Sequence, residues 1–242
     1  VLKWLYGMRG AARAWEEEYA NKLRSIGFIQ GQAAPTTFVH PEWKVRLAVH
    51  GDDFTFLGPP SALHEVRKKI EMWYECKIRG TLGTLPGDDS SISILNREIS
   101  VTSAGLEYRA DSKHARIIYE SLGLTSSSKG VDTSTIREVL QDTDEEALPL
   151  EQQHLFRKLA PRAIYLAQDR SDIQFAVKEV CAFMTSPNAK AMRMLKHLAR
   201  YLVRYPSTYF LYRWRQDEEF DTLDIFTDAD WAGCRRTRRS TR

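Results

Sequence analysis

Cysteine is scarce. The 242-residue chain has three, Cys76, Cys181 and Cys234, widely spaced and without a C-x-x-C pair. That odd number supplies no disulfide framework and, with six scattered histidines, no zinc module. No run approaches the roughly 18 uninterrupted apolar residues of a membrane span. No charged-then-apolar leader opens the chain, which starts at Val1. Secretion and membrane insertion are therefore not expected, and a fragment of a longer protein is. A strong net charge is missing too, with 35 Lys plus Arg against 32 acids. The last eight residues, Arg235–Arg242, hold five arginines and no acid, so without them the balance turns to −2. The basicity is local, and whole-chain charge is poor ground for expecting nucleic acid. What is present, 43% hydrophobic and 28% charged residues, suits one large globular domain or two to three small ones.

Periodicity suggests the elements. Trp15, Tyr19, Leu23 and Ile26 recur at helical intervals, with Gly27 as a stop. Thr36–His40 and Lys44–His50 read as strands, and Phe54–Leu57 as a third, so that Gly51-Asp52-Asp53 forms a hairpin tip. A helix is expected from Pro59-Pro60-Ser61 to about Cys76, with Ser61 as cap. Strands follow at Ser91–Val101 and Leu106–Arg109, then a helix capped by Asp111 and ending at Gly123. Residues 125–148 are the linker candidate: Ser, Thr and Gly first, then an acidic run. Helical patterns occupy Glu151–Gln168, Ser171–Met184 and Pro187–Arg204, the last with Ser186-Pro187 as cap and first turn. Strands near Thr208–Trp214 and Thr222–Thr227 precede Asp228-Ala229-Asp230. The order implies an α+β chain with a helical middle section.

Four patterns could carry chemistry, and each has a plainer reading. Asp52 and Asp53, adjacent within an apolar run, could present oxygen ligands to Mg²⁺, or could be a polar turn. Asp228 and Asp230 at a strand end could do the same, or cap a helix. Leu5–Trp15 is a Gly-rich turn entering a helix; Gly7 would let a backbone approach a base, and Arg9 and Arg13 could pair with phosphates. Arg193, Lys196, Arg200 and Arg204 form a helical stripe that could track a phosphate backbone or face solvent.

Their order along the chain decides between these readings. Leu5-Tyr6-Gly7-Met8-Arg9-Gly10-Ala11-Ala12-Arg13-Ala14-Trp15 resembles the LYGLKQAPRxW block of copia-type retrotransposon reverse transcriptases. His50-Gly51-Asp52-Asp53 sits where that family has YVDD, and Ile94-Leu95-Asn96-Arg97-Glu98-Ile99 is similar to its FLGxEI strand. Leu159–Leu166 with Arg170–Val177 resembles LVGxLxYL…RPDIxFAV, and Thr227–Gly233 with Arg239-Ser240-Thr241 is close to SDADWAG…RRST, where ribonuclease H begins.

The resemblance implies a partial right-hand polymerase: palm over 1–110, thumb and connection helices over 111–205 with a 125–148 linker, and a truncated ribonuclease H over 206–242. Asp52 and Asp53 would hold Mg²⁺, or Mn²⁺, for two-metal transfer of deoxynucleotides to a primer. Asp228 would be the first metal-binding carboxylate of ribonuclease H. Gly7, Arg9, Arg13, Arg193, Lys196 and Arg200 would contact nucleic acid. The implied partners are RNA template, DNA primer, RNA–DNA hybrid, deoxynucleoside triphosphates and the rest of a Pol polyprotein, without a membrane. The implied compartment is a cytoplasmic virus-like particle, then the nucleus.

Departures from the family pattern matter as much. The family's first palm Asp lies upstream of the LYGL block, and further ribonuclease H carboxylates follow the first. This chain is therefore expected to be inactive alone. His50 and Gly51 replace Tyr and Val, Gly10 and Ala12 replace Gln and Pro, and Asn96 replaces Gly. The alternative is a catalytically dead, nucleic-acid-binding remnant within a host gene. A dehalogenase-type phosphohydrolase, suggested by Asp228-Ala229-Asp230, is disfavoured because that fold carries its Asp-x-Asp near the start.

Overall fold

A computed structural model describes residues 4–5, 7–136, 146–214, 225–228, 231, 233 and 238–240. Two compact units divide between Arg79 and Gly80. The architecture is α+β, with two four-stranded antiparallel sheets and six α-helices among the described residues.

The first unit contains α1 (Ala11–Ser25), β1 (Ile29–Gln30), β2 (Thr37–His40), β3 (Val45–His50), β4 (Asp53–Leu57) and α2 (Pro60–Trp73), its strands paired in chain order. Along β3, buried Val45, Leu47 and Val49 alternate with exposed Arg46, Ala48 and His50, the period of a half-covered sheet. Tyr19 and Leu23 of α1 and Val66 and Ile70 of α2 close the covered face in one core with Phe38 and Leu47. Helix α2 starts at Pro60, with Pro59 at the N-cap, so Ser61 is not the cap. Proline fits the first helical turn because its missing N–H has no partner there anyway. Buried His40 is satisfied rather than reactive. Its Nδ1 accepts from the Trp43 N–H at 3.2 Å, which leaves Nε2 to donate to the Ile26 carbonyl at 2.9 Å.

The second unit combines β5 (Ser91–Ile94), β6 (Arg97–Thr102), β7 (Gly105–Arg109) and β8 (Tyr209–Arg213) with α3 (Ser112–Ser121), α4 (Leu150–Ala167), a 3₁₀ turn (Ser171–Ile173), α5 (Gln174–Cys181) and α6 (Ala189–Arg204). Two expectations are corrected here. The strand expected over 91–101 is a hairpin, with Ile94 paired to Arg97 and both Leu95 (φ 50) and Asn96 (φ 63) left-handed. That is a type I′ pattern, in which Asn is nearly as acceptable as Gly. Asn96 therefore occupies a turn rather than a strand interior. Second, α6 is capped by Asn188, whose Oδ1 accepts from the Ala191 N–H at 2.9 Å. Ser186-Pro187 lies outside the helix, and the Pro187 carbonyl instead accepts from Leu148 N–H. Strand β7 pairs with β8 over five positions, Gly105 with Arg213 through Arg109 with Tyr209.

The first part of the expected linker is laid along α6. Arg200 Nε donates to the Lys129 carbonyl at 3.0 Å, Arg204 pairs with Asp132 at 2.7 Å, and His197 meets the Thr133 carbonyl at 2.9 Å. Gly130 allows the approach, since a Cβ there would sit 2.6 Å from Arg204 Cβ. Residues 137–145 of that segment lie outside the described residues.

The helices bury Ala163, Leu166, Val177, Leu198 and Leu202 in one core, and Phe156, Leu159, Val180 and Leu195 in another. Beside the first, fully buried Arg170 grips Asp172 in a fork, Nε to Oδ1 at 2.9 Å and Nη2 to Oδ2 at 2.7 Å. Arg170 Nη2 also donates to the Tyr205 carbonyl at 3.0 Å, and Tyr201 Oη donates to Asp172 Oδ2 at 2.9 Å. Burial, then the bond to Asp172, pushes the Tyr201 hydroxyl up to about 12. A raised folded value means stability fully present below the unfolded tyrosine's pKa, about 10, and lost as pH rises toward the folded one. The denaturation midpoint should thus fall between pH 10 and 12, and fall less in Tyr201→Phe; equal falls in both would contradict this.

Candidate functional site

The tip of the β3–β4 hairpin carries the first unit's two aspartates, Asp52 and Asp53. His50 pairs directly with Asp53, leaving Gly51 and Asp52 as a two-residue turn. Gly51 has φ +62, whereas Asp52 is not left-handed, the type II′ pattern that prefers Gly first. Valine, the family residue here, would have to adopt that conformation with a branched Cβ. Gly51→Val should cost about 1–2 kcal/mol of stability, read from a urea midpoint; an unchanged midpoint would show that the turn does not need the positive φ.

Strand alternation sorts the tip's side chains. Phe54 faces the core and Asp53, Thr55 and Leu57 the opposite face, which β3 shares through Arg46, Ala48 and His50. Behind the turn, Trp15 Nε1 donates to the Gly51 carbonyl at 2.8 Å. The Trp15 ring meets Phe54 at 6.2 Å and Tyr74 at 5.0 Å, and Tyr19 meets Phe54 at 5.7 Å, all but edge-on. This aromatic pedestal ties α1 to the hairpin and holds the acidic tip rigid.

Asp52 is exposed and Asp53 half-buried. Asp53 Oδ1 accepts from Arg79 Nη2 at 3.0 Å. Arg79 was not anticipated, since a lone arginine after α2 carries no sequence signal linking it to the hairpin. Carboxylate oxygens suit a hard cation such as Mg²⁺ in kind. In number they fall short, because no group of three or more potential ligands occurs among the described residues.

The remaining residues of interest are dispersed. Gly7 lies in a turn with φ +91, Arg9 is exposed, and Gly10 admits the Trp4 indole, which a Cβ would meet at 2.8 Å. Arg13 Nε is paired with Glu17 at 2.8 Å on exposed α1. Arg193 and Lys196 are exposed on α6, whereas Arg200 is half-buried and holds the Lys129 carbonyl. Of the α6 stripe, Arg200 and Arg204 are held against residues 129–132 of the same unit. Asp228 is exposed, in a stretch, Ile225–Asp228, outside any strand; Asp230 lies outside the described residues. Thr222–Thr227 was expected as a strand, and its described part is not one.

The chain is 28% identical over 243 residues, 96% of its length, to the retrovirus-related Pol polyprotein from transposon RE1 of Arabidopsis thaliana. To that from transposon RE2 of the same plant it is 23% identical over 238 residues, again 96% of its length. It is also 36% identical over 86 residues to an uncharacterized mitochondrial protein of Arabidopsis thaliana, 36% of this chain and 35% of that protein. No family model and no solved structure matches it. The chain is a relative of copia-type retrotransposon Pol polyproteins, and it spans 15% of the length of the two Pol polyproteins. No described helix is long and apolar enough to cross a membrane.

Proposed function

We propose that this chain is the palm-bearing and following part of an RNA-directed DNA polymerase, working on an RNA–DNA primer-template with an appended ribonuclease H. The observation that carries the reading is the rigidly backed turn that sets Asp52 and Asp53 side by side at the edge of an open sheet face. Asp52 and Asp53 would hold Mg²⁺ together with a palm carboxylate from outside this chain. When bound, the cation would polarise phosphate and neutralise charge developing on the oxygens of an incoming deoxynucleotide. The chain's own residues do the positioning. Trp15 fixes the turn through the Gly51 carbonyl, and the sheet face carrying His50, Ala48 and Arg46 flanks the path to the tip. Arg9 and Arg13, ahead of and on α1, would meet template phosphates. Lys196 and Arg193 would meet duplex backbone beyond it. Asp228 would contribute to ribonuclease H, and the other Pol segments would complete both sites.

Joining this chain to a palm segment that carries the upstream carboxylate should yield primer extension that requires Mg²⁺ or Mn²⁺. Extension indifferent to chelation would overturn the reading. One observation favours a second reading, a non-catalytic nucleic-acid-binding remnant: the Arg79 guanidinium already occupies Asp53. Hybrid binding that weakens steeply with salt, with no extension from any joined form, would select it.

A further inference from the structure

The second unit ties its sheet to its helices unevenly. Strands β5 to β8 pair side by side, yet none of their residues belongs to a buried apolar core. The helices α3, α4, α5 and α6, by contrast, share two such cores. What joins the sheet to them is polar. Among the described residues, the side-chain hydrogen bonds between strands and helical segments converge on Asp169, just past the end of α4. Tyr108 Oη donates to its Oδ1 at 2.7 Å, and Arg97 Nε and Nη2 reach its Oδ2 at 3.0 and 2.9 Å. The side chains of Arg97 and Asp169 are only 20% and 13% exposed, so salt screens the pair little. Arg97 Nη1 also donates to the Leu95 carbonyl at 2.8 Å, which ties the β5–β6 turn to the same point. Elsewhere the seam is open. A cleft of about 340 Å³ is lined by Ser93, Asn96 and Glu98 of the first hairpin and by Ala110, Asp111 and Ser112 at the entry to α3.

We propose that the β5–β8 sheet opens from the helices as a separate unit, and that Asp169 is the latch that holds it closed. A shared apolar core makes two parts of a fold open together, because parting them exposes its whole area to water. Among the described residues that tie is missing, and the closed state depends on polar contacts gathered at one carboxylate. The covalent joints are short: Ala110 between β7 and the Asp111 cap of α3, and residues 205–208 between α6 and β8. The helical side of the latch is firm. Arg170, next to Asp169, is fully buried and holds both Asp172 and the Tyr205 carbonyl, so it fixes the latch and the second joint together. The sheet is therefore the part that moves. Released, a single antiparallel layer has no second layer to pack on, and its backbone bonds open to water. The latch goes beyond the polymerase reading and does not depend on it.

The test is native-state hydrogen exchange of the whole chain in low urea. In the unaltered chain, β6 and β7 amides should exchange through an opening that depends less on urea than the one releasing α4, α5 and α6, since it exposes less surface. Asp169→Asn keeps the shape and removes the charge, and should speed exchange in β6 and β7 roughly 10- to 100-fold. Tyr108→Phe leaves the ion pair in place and should speed it about 3- to 10-fold. Neither should change exchange in α4, α5 or α6. One urea dependence shared by strands and helices would overturn the proposal, because the two would then open together. Equal acceleration of strands and helices, or unaltered exchange of β6 and β7 in Asp169→Asn, would overturn it too. Should Asp169→Asn fail to fold, Tyr108→Phe decides by the same comparison of strands with helices.

Discussion

Asp52→Asn is expected to lower primer extension by the joined polymerase roughly a thousandfold, with nearly unchanged stability. The substitution keeps shape and removes charge at an exposed turn position with no ion partner among the described residues, so folding has little to lose. Catalysis has more. Holding a cation against developing phosphate charge contributes several kcal/mol, and about 4 kcal/mol corresponds to that thousandfold. Asp53→Asn should lose less, because Arg79 already shares its charge and the carboxylate is only partly available. Single-turnover extension with each variant at several Mg²⁺ concentrations measures both. Extension by Asp52→Asn at the unaltered rate would remove the hairpin from the active site.

Arg170→Ala is expected to destabilise the second unit by about 3 kcal/mol. The side chain is fully buried and grips Asp172 in a bidentate fork while reaching the Tyr205 carbonyl at the end of α6. Truncation strands Asp172, leaves that carbonyl one donor short and opens a void against a close-packed core. Burial alone would push the Asp172 carboxyl up, but bonds from Arg170 and Tyr201 outweigh it and hold it below its ordinary value. A depressed folded value contributes stability above the unfolded carboxyl's pKa, about 4, and the contribution disappears as pH falls below it. Arg170→Ala should therefore lose most at neutral pH and differ least from the unaltered chain in acid. Urea unfolding at pH 7 and pH 3 reads this directly, and a difference independent of pH would contradict the proposed coupling.

The hairpin at Gly51-Asp52 was legible because its signals are local: a Gly-Asp pair between two apolar runs. Most helices were legible for the same reason, their apolar spacing being a property of one segment. The second hairpin was not. Ile94-Leu95-Asn96-Arg97 reads as continuous strand, since leucine seldom accepts a left-handed backbone and only the pairing of β5 with β6 imposes it. The α6 cap was missed because both Ser186-Pro187 and Asn188 are acceptable locally. Engagement of Pro187 by Leu148, from the far side of α4 and α5, favours the latter.

The Arg170-Ser171-Asp172 block shows the same division in one place. Its likeness to a family motif was visible in the residues, but its physical role as a buried clamp required Tyr201 and Tyr205, some thirty positions on, to arrive at the same point. The sequence by itself determined where the helices run, that the chain is α+β, and its collinear kinship with Pol polyproteins. Tertiary structure decided that residues 129–133 lie against α6, and that β8 completes a sheet begun a hundred residues earlier. Periodicity and turn chemistry act within a few residues. Partner choice among exposed charges and edge strands depends on chain segments brought together only by burying the cores.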